Sequence, residues 1–278
     1  MTEQYAEVNG IKICYEIAGE GEPLLLVHGF GAKKENWIAT FPELSKHFKV
    51  IRFDNRGAGR SDRPKGDYTM ELFADDISSL MDFLDIKKAN IIGWSLGGMI
   101  VQNFVLKYPE KVNKMILINS NHGFPDESGP IVYKNMRLDE QKSKKVDHVK
   151  AWWDSTRTSY HIKFRKEMEA NPSKKWYGLW SAEERIAESI INPATAEDIE
   201  MQAAALKTHN TFNRLKTIQN PSLILAASHD RLTPRSSMEE IHNQLPNSKF
   251  IVIDKAGHSS PLEKAPEVNQ AIIDFLKE

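Results

Sequence analysis

The stretch NIIGWSLGGM, residues 90–99, sets a serine between glycines where one apolar run gives way to another. Upstream, residues 89–93 have the character of a short buried strand; downstream, Val101, Phe104 and Val105 recur at helical spacing. Ser95 therefore falls at a strand-to-helix turn. Such a turn strains the serine backbone, and side chains two residues to either side would collide, so Gly93 and Gly97 answer a steric demand. Gly93-Trp94-Ser95-Leu96-Gly97 is a G-x-S-x-G pattern, which in this setting presents a nucleophilic hydroxyl. The alternative is a patch of small residues where a helix crosses a sheet, a use that Gly98 would serve in either case.

Working outward, Val, Ile and Leu runs alternate with amphipathic stretches, the pattern of a mostly parallel sheet covered by helices. Strands are predicted over residues 11–17, 23–28, 49–53, 89–93, 114–119, 222–227 and 249–253, the last five as buried runs. Helices are predicted around Leu72, Ile77, Leu80, Met81 and Leu84, and over residues 234–244 and 265–277, the former opened by Pro234. The rhythm breaks over residues 122–208, which show helical patterns and hold four of the six tryptophans. This reads as a helical cap inserted into a core formed by residues 1–121 and 209–278. With no Gly/Ser linker at its ends, it should pack on the core.

A chain of 278 residues can bury a large core. Its 37 Lys and Arg against 38 Asp and Glu leave no electrostatic footprint for nucleic acid or an anionic membrane. The apolar stretch 91–106 is interrupted by Ser95, Gln102 and Asn103 and is too short for a membrane span. The first residues lack a basic segment followed by an apolar one, so a cytoplasmic location is expected. The single cysteine, Cys14, agrees, and reads as a small apolar residue on an early strand.

A serine hydroxyl is a weak nucleophile unless a histidine held by a carboxylate takes its proton. The chain must therefore supply both on loops after later strands. Asp230 follows the run 222–227 and His258 follows 249–253, giving the order Ser95, Asp230, His258 that a nucleophile on a sharp turn requires. Asp230, ahead of Thr233-Pro234, has a turn former or helix cap as its lesser alternative. Asp54 precedes the serine in a glycine- and arginine-rich loop of structural character, and Asp126 is a weaker candidate acid because its loop runs into the insertion. His28 ends a strand and reads as structural. The remaining histidines lack metal-ligand spacing, so no metal and no cofactor is called for. Acyl transfer also needs two fixed donors for the oxyanion. The N–H of Leu96, at the start of its helix, is one; that of Phe30, in His28-Gly29-Phe30-Gly31, is the other.

Taken together, HGFG at 28–31, DNRGAGRSD at 54–62, GWSLGG at 93–98, HDRLTP at 229–234 and AGH at 256–258 resemble the α/β-hydrolase superfamily over residues 1–120 and 210–278. The resemblance is nearest to small carboxylesterases and to enol-lactonases of the 3-oxoadipate type. It implies an α/β-hydrolase fold and a serine hydrolase acting on esters or lactones: Ser95 attacks, His258 moves the proton, Asp230 orients the imidazole and water releases the acyl group. An aspartate nucleophile would have suggested a dehalogenase or epoxide hydrolase; Ser95 disfavours both. Cofactor-free haloperoxidases and perhydrolases share the triad, as do carbon–carbon bond hydrolases. The latter often carry tryptophan after the histidine, where this chain has Ser259. A non-enzymatic small-molecule receptor on the same fold is a further alternative. The expected partner is a small ester or lactone bound beside Phe30 and Trp94, with a homodimer left open. Thirteen Lys and Arg against eight Asp and Glu from 134 to 185 read first as a solvated, ion-paired face and second as a hint of an anionic substrate. The insertion's tryptophans could line an acyl pocket or anchor the insertion to the core.

Overall fold

A computed structural model describes residues 2–278. Among them, eight strands form one sheet: β1 (Gln4–Val8), β2 (Ile11–Ala18), β3 (Pro23–Val27), β4 (Lys49–Phe53), β5 (Ala89–Trp94), β6 (Val112–Ile118), β7 (Ser222–Ala227) and β8 (Ser248–Ile253). Their spatial order is β1-β2-β4-β3-β5-β6-β7-β8. β1 and β2, and β2 and β4, pair antiparallel; the other neighbours are parallel. This is the mostly parallel sheet expected from the alternating runs, in the arrangement that the motif resemblance implied.

The central strands are apolar on both faces because helices cover both. Leu25, Val27, Ile91, Met115, Leu117 and Ile224 enter one core. Their chain neighbours Leu24, Leu26, Ile92, Ile116, Ile118 and Leu223 enter the other. A period of two with hydrophobes in both phases erases the alternation that marks a half-exposed strand.

Two strand expectations need correction. β1 was not predicted; only Ala6 and Val8 of QYAEV turn inward, too short a signal to register. β8 is not a fully buried run, because it is the sheet's edge and leaves Lys249 and Ile251 exposed.

The helices are α1 (Phe41–Leu44), α2 (Met70–Phe83), α3 (Leu96–Lys107), α4 (Ser128–Val146), α5 (His148–Ser159), α6 (Ile162–Ala170), α7 (Ala182–Glu188), α8 (Ala196–Thr208), α9 (Phe212–Leu215), α10 (Arg235–Gln244), α11 (Ser260–Glu263) and α12 (Ala265–Lys277). Pro234 is the N-cap of α10 rather than its first helical residue. Helices α4 to α9 all lie between β6 and β7. The ends of this excursion meet: Gly123 bridges Asn210, and Thr211 N–H donates to His122 O at 2.8 Å. The tryptophans divide between two uses. Trp176 and Trp180 are buried with Tyr160 and Met168 in the second core and anchor the insertion, whereas Trp152 also lines the cavity described below.

Candidate active site

Ser95 separates the last residue of β5 from the first of α3 with φ 58° and ψ −122°, the strained backbone anticipated for this turn. It is pinned from two sides: its N–H donates to Ile118 O at 3.0 Å, and Ser120 Oγ donates to its carbonyl at 2.9 Å. The glycines are sterically required. A Cβ on Gly97 would lie 2.0 Å from Val27 O, and one on Gly93 would lie 2.3 Å from Gly97 O.

Asp230 follows β7 and His258 follows β8, whose parallel pairing brings the two loops together. Asp230 Oδ1 accepts from the N–H groups of Leu232 (2.7 Å) and Thr233 (2.9 Å), while Oδ2 accepts from Thr233 Oγ1 (2.7 Å). That same Oδ2 lies 2.8 Å from His258 Nδ1, and the side chains are 0% and 8% exposed. An ionised carboxylate only accepts, so Nδ1 carries the proton and Nε2 is left as the free lone pair. Asp230 thus caps its own turn and orients a histidine with the same group. Tyr133 of α4 covers it, donating its hydroxyl to Leu232 O. Burial pushes the Tyr133 phenol well above its ordinary pKa, and the Asp230 charge adds to the effect. Among the described residues, Ser95 Oγ and His258 Nε2 share no hydrogen bond, a contact that in unliganded sites often tightens only with substrate.

Trp94 has a second part beyond the expected pocket wall. It lines the cavity, but its indole N–H donates to His258 O at 3.0 Å. Asn119, which sequence reading missed, donates to the same carbonyl at 2.9 Å and to Ser260 Oγ at 2.9 Å, while its own oxygen accepts from Ala227 N–H. Its place at a strand end with φ 46° is the only local signal it carries.

The N–H groups of Phe30 and Leu96 have no partner among the described residues. The loop bearing Phe30 is held by its neighbours: Gly31 N–H donates to Gln202 Oε1 (3.1 Å) and Lys34 N–H to Asp54 Oδ1 (2.8 Å). Asp54 is buried and structural. So is His28, whose Nε2 accepts from Asn55 N–H at 3.0 Å and whose pKa burial pushes down. Asp126 is exposed and accepts from Ser128 N–H at the start of α4, remote in role from His258.

Ser95, Phe30, Trp94 and His258 line one cavity of about 160 Å³. Its opposite wall comes from the insertion and is charged. Arg137 and Lys144 flank Glu140 at 2.7 and 2.8 Å. Burial opposes ionisation of Glu140, yet the two cations outweigh it and hold the carboxyl at about 2. Arg185 donates to Asn36 Oδ1 (3.0 Å) and Glu35 O (3.3 Å), and Lys33 pairs with Glu188 at 2.7 Å. The positive excess in the insertion is therefore only partly a solvated face: Lys150 with Asp154 and Arg165 with Glu169 are outward pairs, while Arg137, Lys144 and Arg185 face the cavity.

The chain matches the family described as the alpha/beta hydrolase fold over residues 22–265, and it belongs to that family. Among curated relatives, 2-hydroxy-6-oxo-6-phenylhexa-2,4-dienoate hydrolase of Comamonas testosteroni is 27% identical, covering 98% of this chain and 93% of that one. The structure of an enol-lactonase from Burkholderia xenovorans LB400 shares the fold, with a TM-score of 0.83 at 23% identity over 99% of this chain and 100% of that one. A thermophilic esterase from Thermogutta terrifontis has a TM-score of 0.82 at 26% identity over 100% and 98%. The match to uncharacterized proteins of Mycobacterium tuberculosis and Mycobacterium bovis, 35% identical, spans 43% of this chain and 35% of theirs.

Proposed function

We infer that this hydrolase-family protein cleaves carboxylic esters or lactones through an acyl-enzyme on Ser95. The observation that carries the reading is the 2.8 Å bond from His258 Nδ1 to Asp230, which frees Nε2 on the cavity that also holds Ser95. Ser95 Oγ attacks the carbonyl carbon and its proton passes to Nε2. The tetrahedral oxyanion is received by the N–H groups of Phe30 and Leu96. Collapse breaks the ester C–O bond, and the leaving oxygen takes the proton from Nε2. Water then attacks the acyl-enzyme, gives a proton to Nε2, and the acid departs as Ser95 recovers its hydrogen. In this reading residues 122–208 act as a cap, and Trp94 and Phe30 flank the acyl group. The cavity is lined by Arg137, Lys144 and Arg185 of the insertion and Lys33 of the core against Glu140 and Glu188, and this excess of positive charge favours a substrate bearing a carboxylate away from the scissile bond.

The relative named for hydrolysing a dienoate without an ester bond motivates a second reading, hydrolysis of a carbon–carbon bond next to a ketone by the same three residues. One panel tests both: p-nitrophenyl esters graded by acyl length, lactones and a vinylogous diketone, with phosphonate labelling of Ser95. The ester reading expects burst release of p-nitrophenol that is lost with labelling in Ser95→Ala. Full turnover by that variant refutes it, and turnover of the diketone alone favours the second reading.

A further inference from the structure

Glu263, the last residue of α11, is a buried carboxylate to which the reaction just described gives no task. Its two oxygens face different parts of the molecule. Oε1 accepts from the N–H of Gly257, the residue before His258, at 2.5 Å. Oε2 accepts from the N–H of His161, between α5 and α6 of the insertion, at 2.9 Å. The segment around His161 lies hard against the His258 loop: Ser259 N–H donates to Ser159 O at 2.7 Å, and a Cβ on Gly257 would stand 2.8 Å from that same oxygen. Tyr177, also from the insertion, donates its hydroxyl to Glu263 O at 2.7 Å.

A carboxylate in this place is costly. Burial pushes its pKa up to about 7 despite the two N–H bonds that favour the charged form. An apolar side chain of similar size would avoid that cost but would leave two buried N–H groups without acceptors. Only a side chain with two acceptor oxygens satisfies both donors at once. Those donors belong to the loop that carries the proposed base and to the helices that roof the cavity.

We propose that Glu263 is a positioning residue whose carboxylate ties the His258 loop to the insertion and thereby holds the imidazole in register with Ser95. The proposal rests on the reading of His258 as the base. Its physical content is a shared partner: one carboxylate closes two hydrogen bonds, so the loop and the α5–α6 turn move together.

The test compares Glu263→Gln and Glu263→Asp with the wild type at pH about 8, above the Glu263 pKa of about 7. Glutamine keeps the volume but turns an amide N–H₂ toward a backbone N–H; aspartate is shorter but keeps two acceptors. A latch therefore expects Asp to outperform Gln, and kcat on a short neutral ester to fall about tenfold to a hundredfold in Gln while KM moves little. A side chain that merely fills space expects Gln to match the wild type and Asp to be the poorer variant, and that order overturns the proposal. Hydrogen exchange of the wild-type protein gives a readout that needs no variant: the Gly257 and His161 amides should open together with one protection factor. Independent opening of the two overturns the latch. These amide data stand even if no ester is turned over and Ser95 resists phosphonate, so failure of the ester reading and failure of the latch are separable.

Discussion

Lowering the pH from about 7 to about 4 will remove roughly 3 kcal/mol of stability through one side chain, His209. The ring is buried at the C-terminal end of α8, with Asn103 Nδ2 at 3.1 Å from Nδ1 and Asn121 O at 3.2 Å from Nε2. An amide nitrogen only donates and a carbonyl only accepts, so Nδ1 is the acceptor, Nε2 carries the hydrogen and the ring is neutral. Burial pushes its pKa from 6.5 to about 4, with a smaller push from His122. At about 1.4 kcal/mol per unit that depression is worth about 3.5 kcal/mol in full, of which roughly 3 is lost by pH about 4, where the folded ring is half protonated. The sign follows from proton uptake: between about 4 and 6.5 the unfolded chain binds a proton that the folded chain refuses. Stability from this site is therefore complete above pH about 6.5, falls as the pH drops, and levels off below about 4.

The assay is urea denaturation across that range for the wild type and for His209→Gln, whose amide can still donate to Asn121 O but does not titrate. Other titrating groups, including the buried His28, are common to both proteins and cancel in the difference. The variant should be the less stable protein at pH about 7, having lost the acceptor for Asn103, and the gap should close by about 3 kcal/mol on acidification. Two curves that stay parallel to within about 0.5 kcal/mol would refute the argument, as would an NMR titration placing the His209 ring near 6.5.

Further outcomes follow from other contacts. Gly97→Ala drives a methyl into Val27 O, 2.0 Å away, and should abolish ester turnover and lower the thermal midpoint measured by circular dichroism. Arg56→Ala leaves Asp76, now bonded through both oxygens at 2.5 and 2.6 Å, as an unpaired buried carboxylate, and should cost about 3–5 kcal/mol in the denaturant midpoint. Trp94→Phe deletes the donor to His258 O and should lower kcat by about tenfold with a small change in KM, read from ester kinetics. Arg185→Gln should raise KM for monomethyl succinate while leaving dimethyl succinate unaffected; an equal effect on both would remove the case for a carboxylate-bearing substrate.

Legibility in the sequence follows how local each feature's cause is. The turn at Ser95 was readable because its steric demand falls on Gly93 and Gly97, two residues away. The loops of Asp230 and His258 were readable because each directly follows a strand-like run. β8 was misread because a Val/Ile/Phe run looks the same at an edge as in the middle; only the strand order makes it half exposed. Lys and Arg could be counted from 134 to 185, but which of them turn inward depends on how α4 and α7 pack over the cavity. Asn119 and Gln202 were invisible for the same reason, since their partners lie 108 to 171 residues away.

Those distant contacts bear on how the site is assembled. Ser95 is held entirely by the sheet and its adjoining loops, through Ile118 O and Ser120 Oγ. The loop with the Phe30 N–H is instead held partly by Gln202 of α8, which accepts from Gly31 and donates to Gly57 O at 2.8 Å. The His258 loop is held from below by Trp94 and Asn119 and from above by the α5–α6 turn through Glu263 and Ser159. The proposed nucleophile is thus positioned by the core alone, while the proposed donor and base loops are completed by the insertion. A helical layer that supplies both the charged wall of a cavity and the backbone partners of the loops beneath it cannot shift far without changing those loops. On the proposed reading, substrate contact in the insertion and chemistry at Ser95 are therefore joined, through Gln202 on one side of the serine and through Glu263 on the other.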